Sequence, residues 1–201
     1  MAGSVSHSVP TKLDAGSLSE LLPRVAPSPP AAACLHGVTA TEAALERLAA
    51  SGFEAEAARL AAHALRRREA VWWACQCALH TAPPDLPPAD RAAREAAEEW
   101  VRKQTDELRR QAMAQAQAGS FATPEAWAAV AAFWSGGSMA PPDQPAVPPA
   151  AHLTGTAVAG AVALAAVRGR PERQKARLSR FLESAREIAS GGAGRLAPEE
   201  A

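Results

Sequence analysis

The chain has 201 residues, a length that favours one domain with tails over two separate cores at about 150 residues per domain. Its 21 basic and 21 acidic side chains cancel, so the total announces neither a polyanion ligand nor an acidic tail. Alanine occurs 52 times against 33 for Leu, Ile, Val and Phe together, and a single Ile with no Tyr leaves little for strands, which favour β-branched and aromatic side chains. The expected fold class is all-α: a compact, Ala-rich bundle of about six to eight helices with a disordered N-terminal tail.

Cys34, Cys75 and Cys77 are an odd number in a chain too long to need disulfide staples, which points to a reducing, cytoplasmic location. The first thirty residues hold no apolar run of signal-peptide length. The apolar stretch from Leu153 to Val167 falls short of the roughly 20 residues a bilayer span needs, so a buried helix is expected there and no membrane partner. Arg outnumbers Lys 18 to 3, a usage typical of GC-rich bacterial genomes.

Residues 1–36 are Ser- and Pro-rich, with Pro23, Pro27, Pro29 and Pro30, and read as a flexible tail interrupted by Leu18 to Leu22, which could dock as a single turn. The helical domain is expected over 37–190. Thr39 and Glu42 have capping-box spacing and open a helix over 40–51 that Gly52 closes. From Glu54 to His80 the apolar positions recur at three- and four-residue steps, but continuing the period puts Arg68 on the apolar face, so two consecutive helices are expected, 54–66 and 68–80. Asp90 opens the next helix beyond a prolyl connection, Thr105 begins another that runs to Gly119, and Thr123-Pro124-Glu125 is a start signal for a helix that Gly136-Gly137 ends. Residues 138–150 read as an extended Pro-rich crossing that can span the bundle. Thr154 caps a small-residue helix to Val167, Pro171 opens the last helix, and residues 191–201 read as a disordered tail.

Chemical constellations are weak. Cys34, His36, Cys77 and His80 could supply a zinc set, yet their spacing matches no common finger. Ser135-Gly136-Gly137-Ser138 lacks a nucleophile-elbow pattern and a phosphate-loop ending and reads better as a helix stop. No cofactor and no metal are expected. The segment from Arg168 to Arg195 carries eight basic and three acidic residues, so Arg173, Lys175, Arg177 and Arg180 could face nucleic acid, but the interleaved glutamates favour a solvated amphipathic face. The most unusual string is Arg68-Glu69-Ala70-Val71-Trp72-Trp73, because adjacent tryptophans point about 100° apart on a helix. Trp73 either joins Arg68, Glu69, Trp134, Ser135, Met139, Pro141 and Pro142 in an aromatic and prolyl interaction surface or underpins the Pro-rich crossing within the chain; the second fits the usual burial of Trp better.

Arg68 to Cys75 (R-E-A-V-W-W-A-C), Ala128 to Pro142 (A-A-V-A-A-F-W-S-G-G-S-M-A-P-P) and Val158 to Val162 (V-A-G-A-V) resemble an uncharacterised family of small bacterial helical proteins, a domain of unknown function. The similarity covers about residues 40–190. It implies occurrence near type VI secretion genes and carries no catalytic residues over. The expectation is a non-enzymatic cytoplasmic adaptor or chaperone-like protein with a protein partner, a secretion component or an effector. The alternatives are an enzyme with a site near Arg68, Glu69, Cys77 and His80, and a nucleic-acid module on the C-terminal basic helix.

Overall fold

The computed structural model describes residues 12–13 and 17–200. Among them are ten α-helices: α1 (Leu18–Val25), α2 (Pro29–Cys34), α3 (Thr41–Ala50), α4 (Glu54–Ala64), α5 (Arg67–His80), α6 (Pro88–Lys103), α7 (Asp106–Ala118), α8 (Pro124–Phe133), α9 (Leu153–Val167) and α10 (Gln174–Ala189). The fold is all-α. No helix among the described residues is long and apolar enough to cross a membrane.

The middle of the bundle is α8. Apart from Trp127, every residue from Pro124 to Phe133 is buried, and a helix apolar on all sides must be surrounded. It packs against α5, α6, α7 and α9. Ala126, Ala128, Ala129, Ala131 and Ala132 let those neighbours approach closely, and the larger side chains fill the remaining gaps. Trp73 is one of these fillers: it is fully buried and its Nε1 donates to the Phe181 carbonyl of α10 at 2.8 Å. Thr105 and Thr123 cap α7 and α8 through Oγ1, accepting from the Leu108 and Ala126 amides. The α4–α5 break falls at Leu65 and Arg66, both extended, which removes Arg68 from the apolar face.

The core also holds a charge. Glu125, with no exposure, opens α8 and receives a bidentate ion pair from Arg168 at the end of α9, one arm at 2.8 Å. A carboxylate at a helix start and a cation at a helix end both complement the macrodipoles.

Four expectations are corrected. Residues 17–36, expected as tail, form α1 and α2: Leu18, Leu21 and Val25 are buried on α1, which packs on α4, and Ala31 is buried on α2. The rest of that expected tail, residues 1–11 and 14–16, lies outside the described residues, as does residue 201. Neither Thr39 nor Thr154 caps a helix: the N-caps of α3 and α9 are Ala40 and His152, both without a side-chain bond, and Thr154 is buried inside the first turn of α9; the Ser-x-x-Glu pattern at Ser17 supplies a box instead, with the Ser17 amide donating to Glu20 at 3.0 Å. The Pro-rich segment does not span the bundle. It folds back on itself, with the Met139 amide donating to Val147 O at 2.8 Å and the amides of Ala140 and Val147 donating to Ser138 Oγ.

The fourth correction is the C-terminal segment, which lies along α5 as a strap. Trp72 Nε1 donates to Ala193 O at 2.6 Å, the Leu196 amide to Gln76 Oε1 at 3.4 Å, His80 Nδ1 to Ala197 O, and the Glu199 amide to His80 O at 2.7 Å. Trp72, Gln76 and His80 recur every four residues and share one helical face. Arg177 anchors the strap by an ion pair to Glu199 at 2.6 Å.

Two outcomes follow from these tethers. Arg168→Ala leaves the Glu125 carboxylate buried and unpaired and is expected to cost about 3–5 kcal/mol in chemical denaturation, whereas Glu125→Gln combined with Arg168→Met recovers much of that loss. Hydrogen bonds from Arg177, and then from Arg173, hold the Glu199 carboxyl below its ordinary range, so its contribution is complete above that ordinary range and is lost as pH falls through the depressed value. Glu199→Gln at neutral pH is therefore expected to lower the hydrogen-exchange protection of residues 193–200, measured against the intrinsic rate at the same pH, as acidification does in the parent; unchanged protection would contradict the anchoring.

Candidate functional site

At its N-terminus α5 carries Arg66-Arg67-Arg68, three cations at the positive end of a helix dipole, where acidic residues are favoured. The backbone there is fixed by Lys12 and Leu13: the Arg66 amide donates to Lys12 O at 3.0 Å, the Lys12 amide donates to Ala189 O at 2.8 Å, and Leu13 forms an isolated antiparallel bridge to Leu65. The three side chains separate. Arg67 donates to Ser135 O at 2.8 Å, just past the end of α8, and Arg68 Nε donates to Val101 O at 2.8 Å in the last turn of α6.

On the Arg68 side lies a cleft of about 290 Å³, lined by Lys12, Arg68, Glu69, Trp72, Val101, Arg102, Ile188, Gly192 and Arg195. Glu69 is shared by Lys12 at 3.6 Å and Arg68 at 3.7 Å, so one carboxylate faces four basic side chains. Arg102 is itself paired with Glu99 at 2.8 Å. The Arg195 guanidinium sits 5.9 Å from the centre of the Trp72 ring, within cation–π range. The strap builds this wall, because Trp72 is held by Ala193 O and Arg195 follows two residues later. The arrangement suits an anionic group placed beside an aromatic face.

Of the surface expected from sequence, Arg68 and Glu69 line this cleft, whereas Trp73 is core. Trp134, Ser135, Met139, Pro141 and Pro142 stand apart from it. Trp134 stacks edge-on with Trp127 at 6.3 Å, Ser135 Oγ returns to Ala132 O, and Pro141 and Pro142 are exposed on the folded-back loop. Arg109 and Arg110 of α7 clamp that loop through the carbonyls of Ser138 and Ala140. Arg67, the neighbour of Arg68, reaches Ser135 O on the other side, and the expected surface divides in two.

Arg68 and Glu69 sit about 12–18 Å along α5 from Cys77 and His80 and do not converge with them. Burial pushes the Cys75 and Cys77 thiols well up, which keeps them protonated and makes them small apolar fillers. His80 packs edge-on against Phe181 at 5.8 Å, and its Nε2 is buried without a partner among the described residues. No group of three or more His, Cys, Asp and Glu with metal-binding geometry occurs among the described residues.

The basic row of the last helix is largely committed to internal contacts. Arg177 is buried and donates to the carbonyls of Ala166, Arg168 and Arg170; Arg173 pairs with Glu199 at 3.3 Å, and Lys175 lies 3.6 Å from Glu54. Arg180 remains exposed on the helix surface. Sequence reasoning missed Lys12, Trp72, Arg102 and Arg195. The available signal was the spacing of Trp72, Gln76 and His80, three side chains with polar atoms on one face of an otherwise apolar helix.

A family profile matches residues 44–189, from α3 through α10, which leaves Lys12, α1, α2 and the strap outside the match. No curated protein and no solved structure matches the chain. The chain therefore belongs to the family of unknown function DUF6931.

Proposed function

We propose that the protein is a non-enzymatic, cytoplasmic helical adaptor with chaperone-like action that receives an acidic segment of a partner protein in the basic cleft beside Trp72. The observation that carries this reading is the charge imbalance there: Lys12, Arg68, Arg102 and Arg195 around a single carboxylate, Glu69, with an indole as the floor. Arg102 is paired with Glu99, but Lys12, Arg68 and Arg195 have only Glu69 among them, an excess of positive charge that an anion would relieve, and electrostatic complementarity of this kind directs partner choice and encounter rate. The resemblance noted from the sequence implies a setting near type VI secretion genes, and on that implication the partner is a secretion-machine component or an effector awaiting loading.

The test is affinity capture of a tagged full-length chain from the native bacterium with its secretion system active, run beside Arg68→Glu with Arg195→Glu. The expected outcome is recovery of an acidic secretion component by the parent, weakened by salt and lost from the charge-reversed variant. Recovery of no such component, or equal recovery by both chains, would overturn the reading.

A further inference from the structure

On the other side of Arg67 lies a second cleft, of about 230 Å³, between α1, α4, α5 and the start of α9. Arg24 reaches it from α1, His63 from the last turn of α4, Arg67 from the first residue of α5, and Thr154 and Gly155 from the first turn of α9. No carboxylate lines it among the described residues.

The start of α9 is shaped for close approach. A Cβ on Gly155 would stand 2.3 Å from His63 Nδ1, so only glycine lets the imidazole lie against this turn. The first-turn amides of Leu153 and Thr156 have acceptors, the carbonyls of Ala150 and His152, while those of Thr154 and Gly155 have none among the described residues. The Thr154 hydroxyl is turned away, donating to Trp134 O at 2.9 Å.

We propose that this cleft is a binding site for a tetrahedral oxyanion, a phosphoryl or sulfate group, held by the guanidinium groups of Arg24 and Arg67, the His63 imidazole and the amides of Thr154 and Gly155. Two guanidinium forks and paired amides approach from three elements, which matches oxygens spread over a tetrahedron better than the single plane of a carboxylate. Arg67 already spends one terminal guanidinium nitrogen, Nη1, on Ser135 O, which orients the guanidinium and leaves its other N–H groups for a ligand.

His63 reports the unbalanced field. Burial first, then Arg24 and His152, depress its pKa from 6.5 to about 4. The groups facing it are Arg24 from α1, Arg67 from α5 and His152 ahead of α9, all basic. A bound dianion reverses the sign of that environment, so the protonated imidazole becomes favoured and binding strengthens as His63 takes up its proton.

The experiment is NMR of the full chain, following the His63 ring protons through pH in sodium sulfate, which stays divalent over the range, and in sodium chloride of equal ionic strength. Sulfate is expected to raise the His63 midpoint by about one pH unit or more, a tenfold coupling, and to shift the Thr154 and Gly155 amides saturably. Arg24→Gln, at an exposed position, is expected to weaken sulfate binding about tenfold or more while the spectrum stays folded. Inorganic phosphate and O-phosphoserine at neutral pH then separate a free anion from a phosphoryl group on a larger molecule: response to phosphate alone indicates the first, response to both the second. Identical His63 titrations in the two salts, or a sulfate response unaltered by Arg24→Gln, would overturn the proposal.

Discussion

Helix ends decide how this molecule is held together. A bundle lined by alanine buries little apolar area per residue, and each of its helices leaves carbonyls at the C-terminus without intrahelical partners. Arginines from neighbouring elements supply them. Arg68 reaches Val101 at the end of α6, Arg109 reaches Phe133 at the end of α8, Arg177 reaches Ala166 and Arg168 at the end of α9, and Arg47 reaches Cys34 at the end of α2. A planar guanidinium can satisfy several carbonyls at once and complements the negative end of a helix dipole, which a lysine ammonium does with less geometric control. The excess of Arg over Lys, which as composition alone suggests only a GC-rich source, thus has a structural use.

The same economy marks where the chain departs from it. Most arginines near the core end on a carbonyl or a carboxylate, but at the junction of α4 and α5 three of them crowd the positive end of a helix. Arg67 and Arg68 turn to opposite sides, each spending one donor on a distant carbonyl, and a basic cleft opens beside each. Both clefts are completed by elements from the chain ends. Lys12 and the strap wall one, and α1 brings Arg24 to the other. The family match covers neither end, so the common helical core carries the junction while the flanking segments shape what stands around it.

Much of the helix pattern was legible because it is written in local signals. Thr105, Thr123 with Pro124, Gly52 and the paired prolines before α6 act over a single turn, and the break near Arg66 is visible as a charge that would otherwise interrupt an apolar stripe. What failed has a common cause. Residues 17–36 and 191–200 hold few large apolar side chains, so neither segment announces a core of its own, and both are ordered by docking onto a partner element. The strap in particular is fixed by Trp72, Gln76 and His80, residues more than a hundred positions away, through backbone carbonyls and an amide that no side-chain pattern in the strap encodes. Trp72 and Trp73 show the same limit. Periodicity says that they diverge, but only the position of α10 makes Trp73 the buried one.

The linear order of residues already specifies an all-α chain and most helix boundaries, because caps, prolines and glycines act on the few φ and ψ angles next to them. It also determined that the core would be thin, since alanine sets helix spacing wherever it falls. Which cations stand together depends instead on how the helices pack. Arg24, His63, Arg67 and the first turn of α9 come from four separate elements, and the charge that each feels depends on three-dimensional neighbours that no spacing along the chain specifies.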